Sequence, residues 1–425
     1  MSVKMRVMVI GSGGREHVIC EKIAQSPSVE KVYWVGTAPK PELEKIKVIW
    51  DINVTDFEGL ANFALQEKIS FTVVGPELPL TLGIVDYFEE KNLAIFGPTK
   101  KAAKLEGSKT FAKEIMRGEN VPTAEYTRVD SLEHGCNLMD SLGLPLVFKV
   151  DGLAAGKGVI IVEDKNTGKE ELQKLMESHP DQKIFAEEFL QGRELSFMVV
   201  VSKNKAFPLV PAQDYKRVYE QDEGPNTGGM GAFASSDLID ESLKKEIMDT
   251  IINPTLQGLQ KRNIEFTGVL YAGLMVTNKG PKVLEYNTRF GDPETQAILH
   301  LIDEDLALLI KSCINGEIVQ PKISQKKAIT LVLAMDGYPG KYPKGIEITK
   351  CKIKDCRLYH SGTTYQQGKL LTNGGRVLNI VGIANELSIA RDMVYKDVKN
   401  IDFEGIMFRR DIGWGIDKSE RNKDN

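Results

Sequence analysis

Cysteine and histidine are scarce in this chain, and neither forms a recognisable pattern. The 425 residues include five cysteines without a Cys-x-x-Cys pair and five histidines without metal-ligand spacing. A disulfide framework usually uses an even set of cysteines in an oxidising compartment, and a structural zinc site needs closely spaced cysteine or histidine ligands. The sequence therefore predicts a reduced, cytoplasmic protein with neither kind of cross-link.

Long apolar runs and an excess of one charge are also missing. No segment approaches the roughly 18 apolar residues that a membrane-spanning helix needs, and the first residues do not resemble a signal peptide. The 55 basic and 59 acidic residues give a net charge of −4, which provides no general attraction for nucleic acid or anionic membranes. We therefore expect small-molecule partners rather than nucleic acid, a membrane or an obligate protein.

The length predicts two to four domains, and changes of pattern place the boundaries near residues 104 and 325. Residues 1–104 alternate short β-branched strands with helices, which is typical of a parallel α/β sheet whose strand ends form a ligand crevice. Residues 105–325 follow a different pattern that begins with a capped helix. Residues 326–425 combine short strands with one helix and predict a small α+β domain.

A first glycine-rich turn, residues 11–14, follows a strand and begins a helix. Backbone N–H groups at such a helix start bind anions. Dinucleotide binding is disfavoured, because Glu16 replaces the third glycine of the fingerprint and the next strand ends without an acidic residue. We predict a site for the phosphate of a small metabolite, and the alternative is a tight turn without a ligand.

A second glycine-rich segment, residues 147–159, carries Lys149 on a strand and Lys157 after a run of small residues. It fails as a Walker A loop, because Asp151 occupies the first glycine position and Gly158 the position of the magnesium-binding hydroxyl. The pattern predicts a β-hairpin lid over phosphates, where a lysine contact at ~4 Å gains about 4 kcal/mol at an effective dielectric of ~20. A surface hairpin with solvated lysines is the alternative.

Lys109 adds a third basic side chain to this interpretation. It lies in the first turn of a helix that Ser108 can cap, where the helix dipole disfavours a cation. A bound polyphosphate would relieve the conflict, and a solvent-screened lysine explains it equally well.

The segment 184–199 reads as a strand, a turn and a second strand. A nucleotide base could lie against Phe189 and Leu190, and Glu194 could accept hydrogen bonds from ribose hydroxyls. A buried hairpin with exposed acidic residues explains the same pattern.

The strand around residue 285 predicts a metal site. Glu285 and Asn287 lie two apart and therefore share one face of a strand. A carboxylate and an amide oxygen are suitable ligands for Mg²⁺, which is usually held by one or two protein groups and by substrate phosphates. Arg289 follows, and it could form a structural salt bridge or clamp a carboxylate. A solvated strand face is the alternative for the whole segment.

Two further loops, residues 213–217 and the glycine-rich residues 224–231, complete the set of candidate segments. Long glycine-rich loops in compact domains are usually functional, although an irregular loop remains an alternative.

Taken together, these segments resemble the phosphoribosylamine–glycine ligase family of ATP-grasp enzymes over nearly the whole chain. The matching motifs are GSGGREH, VGPELPL, FGPT, EGSKTFAK, FKVDGLAAGKGV, EEFLQGRELSF, QDYKRV, GPNTGGMGA, TGVLYAGLM, EYNTRFGDPETQ, TNGGRVL and FRRDIGW. The resemblance implies ATP-grasp domains over 105–325, with a hinged lid at about 120–191. It also implies the ATP-dependent joining of glycine to 5-phosphoribosylamine through glycyl phosphate, in purine biosynthesis.

The resemblance also implies roles for residues of this chain, with ATP and Mg²⁺ or Mn²⁺ as cofactors. The residues implied to bind ATP are Lys109, Lys149, Gly156, Lys157, Glu187, Glu188, Phe189, Leu190 and Glu194. The metal ligands would be Glu285 and Asn287, and the catalytic residues would be Lys157, Asp214 and Arg289. The residues implied to bind glycine or phosphoribosylamine are Gly13, Arg15, Glu16, Gly36, Glu77, Asp214, Lys216, Arg289 and Asp292. The family's Pro-Gly-Asn loop after the second strand is absent, so Gly36 alone is carried over there.

Three other functions are compatible with parts of the pattern. A carboxylase or another carboxylate–amine ligase would share the lid and the metal strand, but QDYKR and RFGDPETQ favour the glycine enzyme. A dehydrogenase is disfavoured by the missing acidic residue and the additional lysines. A catalytically inactive ATP-binding module is disfavoured by the presence of Lys109, Lys149 and Lys157 together with Glu285 and Asn287.

Overall fold

The N-terminal region folds as a sheet of five parallel strands. The computed structural model describes residues 4–37, 39, 43–152, 158–317 and 320–414. The strands are β1 (Met5–Ile10), β2 (Val29–Val35), β3 (Ile46–Ile49), β4 (Phe71–Val74) and β5 (Ile95–Phe96), in the order β3-β2-β1-β4-β5. The helices are α1 (Gly14–Ala24), α2 (Phe57–Gln66), α3 (Glu77–Leu82) and α4 (Ile84–Glu90). The predicted parallel α/β sheet is confirmed, and the chain order reverses beside β1, at the first glycine turn.

Two helices then lead to a separate antiparallel sheet. Helices α5 (Lys104–Gly107) and α6 (Lys109–Gly118) are separated by Ser108, whose hydroxyl accepts a hydrogen bond from the Phe111 N–H (3.2 Å), as the sequence predicts. The sheet consists of β6 (Tyr126–Val129), β7 (Leu146–Val150), β8 (Val159–Val162) and β9 (Ile184–Glu188), in the order β6-β9-β7-β8. Helices α7 (Leu132–Leu142) and α8 (Lys165–Ser178) complete this unit.

The largest sheet has ten strands and runs through the middle of the molecule. Its strands are β10 (Arg193–Ser202), β11 (Lys205–Pro208), β12 (Ala212–Asp214), β15 (Gly231–Ala234), β16 (Gly268–Thr277), β17 (Gly280–Asn287), β18 (Lys327–Met335), β20 (Arg357–His360), β23 (Arg376–Ala384) and β25 (Ile406–Met407). The helices of this part are α9 (Glu241–Ile247), α10 (Asn253–Gln260), α11 (Glu294–Ile298), α12 (Leu306–Asn315) and α13 (Leu387–Asp397). A π-helical turn at Met248–Ile252 joins α9 to α10.

Three separate strand pairs lie outside this sheet. They are β13 (Arg217–Tyr219) with β14 (Glu223–Asn226), β19 (Lys350–Cys351) with β24 (Ile401–Asp402), and β21 (Thr363–Gln366) with β22 (Lys369–Thr372).

The small C-terminal α+β unit is not isolated from the middle of the chain. Strand β18 pairs with β15 in antiparallel register, so that Gly231 faces Leu331 and Ala234 faces Ala328. The C-terminal strands therefore continue the sheet that carries β12 and β17. The residue bounds given for the three domains stay a prediction.

The segment 184–199 contains the two predicted strands, β9 and β10, and excludes the hairpin that was the alternative. Its two strands do not form a hairpin, because β9 pairs with β6 and β7 whereas β10 pairs with β16 in the ten-stranded sheet. The chain crosses between the sheets at Gly192, where a Cβ atom would lie 2.2 Å from the carbonyl oxygen of Val276. This close backbone approach requires glycine.

Histidines line the contact between α1 and the C-terminal strand β20. The Nδ1 atom of His17 accepts a hydrogen bond from the His360 N–H (3.0 Å), and the two rings stack with their centroids 5.6 Å apart. His300 bonds the Tyr359 hydroxyl (2.6 Å) in the same layer. Burial lowers the pKa of His17 to about 3, with the charge of His360 adding to the effect, and burial lowers the pKa of His360 to about 4.

The replacement His17→Asn should make the protein less sensitive to acid. The unfolded chain protonates a histidine near pH 6.5 while folded His17 resists protonation, so stability falls as pH drops below that value, by about 1.4 kcal/mol per pH unit. Asparagine does not titrate, and its side-chain oxygen can accept the bond from His360. Urea unfolding at pH 7 and pH 5 tests this expectation. Equal pH dependence of the unfolding free energy in both proteins would contradict it.

Among the described residues, we find no helix with the length and apolar character that a membrane crossing requires.

Candidate functional site

A cavity of about 520 Å³ lies where the three sheets meet. The N-terminal sheet contributes the loops after β1 and β4, helices α5 and α6 form one wall, and β8 and β17 form another. Sequence-predicted residues that line the cavity are Arg15, Glu77, Lys109, Glu187, Asp214, Lys216, Glu285, Asn287, Arg289 and Asp292. Residues more than 270 positions apart in sequence therefore share one cleft.

Other predicted residues have different positions. Gly156 and Lys157 lie outside the described residues, although the flanking strands β7 and β8 pair in the antiparallel manner that a hairpin lid requires. Eight of the predicted site residues lie within the described structure but do not line the cavity: Gly13, Glu16, Gly36, Lys149, Glu188, Phe189, Leu190 and Glu194. Their ligand contacts stay predictions.

A buried carboxylate organises the lysines at one end of the cleft. Glu187 is 2% exposed, and its two oxygens pair with Lys113 (3.2 Å) and Lys149 (2.8 Å). Lys109 donates to the carbonyl of Gly152 (3.1 Å), at the base of the second glycine-rich segment. Burial lowers the pKa of Lys109, and Glu285 opposes that shift. The sequence analysis missed Lys113, although it lies four residues after Lys109 and therefore on the same helix face.

The replacement Glu187→Gln should destabilise the protein. It would leave the ammonium groups of Lys113 and Lys149 close together without their shared counterion, and breaking a buried ion pair typically costs about 3–5 kcal/mol. Urea unfolding followed by far-ultraviolet circular dichroism measures the loss. Glu171→Gln, an exposed change on α8, is the matched control, and equal stability of the two variants would refute the expectation.

The predicted metal strand presents oxygen ligands to the cleft. Glu285 and Asn287 both line the cavity, and Glu285 retains 45% of its side-chain exposure there. Burial opposes ionisation of Glu285, but Lys216, Lys149 and Lys109 outweigh it, so its pKa lies below the usual range. Within the described part of the chain, no three His, Cys, Asp or Glu residues cluster as a metal site. Two protein oxygens completed by phosphate oxygens suit Mg²⁺.

Arg289 is held between carboxylates at the centre of the cleft. Its guanidinium lies 3.0 Å from Glu106 and 3.5 Å from Glu77, and it donates to the Asn287 side-chain oxygen (3.1 Å). Glu106 also accepts hydrogen bonds from the Thr288 N–H (2.8 Å) and hydroxyl (3.1 Å). Burial lowers the pKa of Arg289, but Glu106 and Glu77 outweigh it and raise the pKa. Arg289 therefore takes part in structural ion pairs and lines the cavity as well.

Acidic groups surround Lys216, which lies between β12 and β13. Its ammonium lies 3.6 Å from Glu194 and 3.7 Å from Glu285. Burial opposes the charge of Lys216, but Asp214, Glu194, Glu285 and Glu294 raise its pKa well above the usual range. Carboxylates outnumber cations here, so this side of the cleft suits a further positive group.

Glu294 and Tyr271 are cavity residues that the sequence analysis did not assign. Glu294 is 2% exposed and accepts hydrogen bonds from the Tyr271 hydroxyl (2.6 Å) and the Ser196 hydroxyl (3.1 Å). Its place in the motif RFGDPETQ, two residues after Asp292, was the available signal.

The first glycine turn uses Glu16 as an internal support. This side chain is fully buried, and Arg15 donates to it (2.7 Å) while also donating to the Phe290 carbonyl (3.0 Å). A Cβ atom on Gly75 would lie 2.0 Å from the Glu16 carboxylate, so the carboxylate fills the space between two loops. The Glu16 side chain faces the protein interior rather than the cavity, and its contact with substrate stays a prediction.

The C-terminal unit supplies two further residues to the cavity. Arg376 donates to the carbonyl of Gly228 (2.6 Å) and pairs with the Asp292 carboxylate (3.0 Å). Tyr338 accepts a hydrogen bond from the Gly228 N–H (3.0 Å). Both side chains line the cleft opposite α6, and long-range packing rather than local pattern brings them there.

Comparison with known proteins places this geometry in a family. Three family models match in order along the chain: the phosphoribosylglycinamide synthetase N domain over residues 5–106, its ATP-grasp (A) domain over 107–295 and its C domain over 328–415.

Relatives match over almost the full chain. A phosphoribosylamine–glycine ligase of Caldanaerobacter subterraneus subsp. tengcongensis is 45% identical, covering 97% of this chain and 100% of the relative. A bifunctional purine biosynthetic protein of Schizosaccharomyces pombe is 40% identical, covering 95% of this chain and 53% of that protein.

The solved structures agree with this assignment. A crystal structure of a phosphoribosylamine–glycine ligase from Thermotoga maritima has a TM-score of 0.83 at 32% identity, covering 96% of this chain and 100% of that one. The biotin carboxylase domain of the Hydrogenobacter thermophilus 2-oxoglutarate carboxylase, solved with ADP and magnesium, has a TM-score of 0.72 at 15% identity. It covers 96% of this chain and 92% of that chain, and shares the fold.

The lysine-lined cleft where the three sheets meet and the match to the ATP-grasp (A) domain define an ATP-grasp enzyme. Within that class, the chain belongs to the phosphoribosylamine–glycine ligase family.

Proposed function

We propose that this chain joins glycine to 5-phosphoribosylamine at the expense of ATP, giving glycinamide ribonucleotide, ADP and phosphate for purine biosynthesis in the cytoplasm. One observation carries the proposal: Lys109, Glu285, Asn287, Arg289 and Asp214 line a single cavity. Cations for a polyphosphate, oxygen ligands for a metal and a pair of groups for an amino acid are thus within one cleft.

ATP would lie between α6 and β17. The apolar lining suits the base, and it is formed by Leu105, Ala112, Met116, Val159 and Leu284. Lys109 and Lys149 would neutralise the phosphates, and Lys157 of the second glycine-rich segment would join them. Mg²⁺ held by Glu285 and Asn287 would supply further charge neutralisation. Such neutralisation and positioning supply most of the rate enhancement in phosphoryl transfer.

Glycine would bind between Arg289 and Asp214. The Arg289 guanidinium would hold the glycine carboxylate, whose oxygen attacks the terminal phosphorus of ATP and releases ADP. Asp214 would hold the glycine ammonium, and the surplus of carboxylates around Lys216 favours a cation at that position. This arrangement would place the reacting carboxylate between the metal strand and the phosphates.

Phosphoribosylamine would enter from the side of the N-terminal sheet and the C-terminal unit. Arg15, Glu77 and Arg376 line that side of the cavity, and Ser12 marks the start of α1. The amine of this substrate would attack the carbonyl carbon of glycyl phosphate. The carbon–oxygen bond to phosphate then breaks and phosphate leaves.

Glycine labelled with ¹⁸O in both carboxyl oxygens tests this chemistry. One labelled oxygen should appear in each released phosphate, because the bridging oxygen of an acyl phosphate leaves with phosphorus. Mass spectrometry of phosphate measures the transfer, and omission of phosphoribosylamine is the control. Label retained entirely in the amide product and free glycine would reject the acyl phosphate.

A further inference from the structure

The C-terminal segment, residues 408–414, packs against the stretch 215–217 that follows Asp214 and leads into the β13–β14 hairpin. Its central side chain, Arg409, is 1% exposed and does not belong to the cavity lining within the described chain. The guanidinium donates to the Asp222 carboxylate (2.7 Å) and the Arg217 carbonyl (3.0 Å). It also forms a two-point pair with Asp411 (2.8 and 2.7 Å). All these partners other than Asp411 belong to the β13–β14 hairpin, which directly follows Lys216.

The turn of this hairpin has a backbone conformation that side chains disfavour. Gln221 and Asp222 have φ values of 60° and 57°, the left-handed region. Consecutive non-glycine residues persist there when surrounding contacts fix them. The contacts here come from the C-terminal segment: the Gln221 N–H donates to Asp411 (2.9 Å), and Asp222 binds Arg409. The segment therefore determines the shape of the turn.

Tyr215 connects the C-terminal segment to the site itself. It lies between Asp214 and Lys216, and alternation along an extended chain points its ring away from the cavity side. The ring centroid lies 4.9 Å from the Arg409 guanidinium, and the hydroxyl accepts a hydrogen bond from the Gly413 N–H (2.9 Å). Tyr395 also holds the C-terminal segment in place, because its hydroxyl donates to the Arg409 carbonyl (3.0 Å) and accepts from the Ile412 N–H (3.1 Å).

We propose that Arg409 is a positioning residue for amino-acid binding: through Tyr215 and the turn at 221–222 it sets where Asp214 and Lys216 stand in the cleft. This inference rests on the proposed function, in which Asp214 holds the glycine ammonium. It assigns a role to the motif FRRDIGW, which contributes no side chain to the described cavity lining.

Steady-state kinetics of Arg409→Gln, Arg409→Lys and Asp222→Ala test the proposal. Arg409→Gln should raise the KM for glycine by about tenfold while the KM for ATP changes less than about twofold, since the ATP end of the cleft is held by other elements. Lysine keeps the charge but loses the planar fork, so Arg409→Lys should recover part of the loss. Arg410→Ala, whose side chain is 77% exposed, is the matched control.

Asp222→Ala separates positioning from folding. The Asp222 side chain is 67% exposed and Arg409 keeps its pair with Asp411, so the thermal transition should fall less in this variant than in Arg409→Gln, while the KM for glycine should still rise by about threefold. A wild-type KM for glycine in folded Asp222→Ala and Arg409→Lys enzymes would overturn the proposal and leave the segment a structural role alone. Failure of the proposed function would appear differently, as wild-type enzyme that releases no ADP when ATP, glycine and phosphoribosylamine are supplied together.

Discussion

Replacement of Arg289 by lysine should lower kcat/KM for glycine by about 10²–10³-fold. Lysine keeps a positive charge but cannot reach Glu106, Glu77 and a substrate carboxylate together with a planar fork. Loss of one partner in a buried, hydrogen-bonded charge pair costs about 2–5 kcal/mol, and each 1.36 kcal/mol is roughly tenfold in rate. Initial rates at varied glycine and saturating ATP measure the effect.

The matched control for this change is Arg262→Lys. Arg262 is exposed, lies just after α10 and donates to the carbonyl of Gly258 in that helix, so the same chemical substitution there should leave the kinetics unchanged. The KM for ATP should stay near the wild-type value in Arg289→Lys, because Arg289 contacts neither Lys109 nor Glu187, the cavity residues at the predicted phosphate end. A wild-type KM for glycine would remove Arg289 from substrate binding.

The replacement Glu285→Gln should lower kcat by about 10²-fold and raise the Mg²⁺ concentration for half-maximal activity at least about tenfold. The amide keeps the shape of the side chain but removes the charge that the nearby lysines keep ionised. Activity measured over a Mg²⁺ titration, after removal of bound metal with EDTA, gives both quantities. Glu246→Gln, an exposed change close to the same hairpin, is the control.

A second outcome of this experiment would correct the metal assignment. Glu285 also lies 3.7 Å from Lys216, so its replacement could act through that lysine. A raised KM for glycine with an unchanged Mg²⁺ dependence would identify Glu285 as a partner of Lys216 rather than a metal ligand.

Local pattern predicted the parts of the site that come from single strands and turns. Glu285, Asn287 and Arg289 alternate along β17 and its extension, and the described structure places all three at the cavity. The N-terminal parallel sheet was predictable for the same reason, since its β-branched strands alternate with helices and end at glycine.

The residues that sequence reasoning missed depend on packing between distant elements. Arg376 meets Asp292 across 84 positions, and Glu106 meets Thr288 across 182. No periodicity relates such pairs. The two strands predicted within 184–199 are present, but the sequence could not show that they lie in different sheets, because two consecutive strands carry no local sign of their pairing partners.

The pairing of β15 with β18 has a practical consequence for protein engineering. In a chimera of two relatives joined near residue 326, β12 and β15 would come from one parent and β18 from the other. The side chains of β18 would then have to pack against a foreign β15, which pairs with the strand of Asp214. A crossover at residues 189–192, where the backbone passes from one sheet to the next, cuts no ladder. Recombination libraries should therefore yield active enzymes more often when the junction lies at residues 189–192 than when it lies near residue 326, the predicted domain boundary.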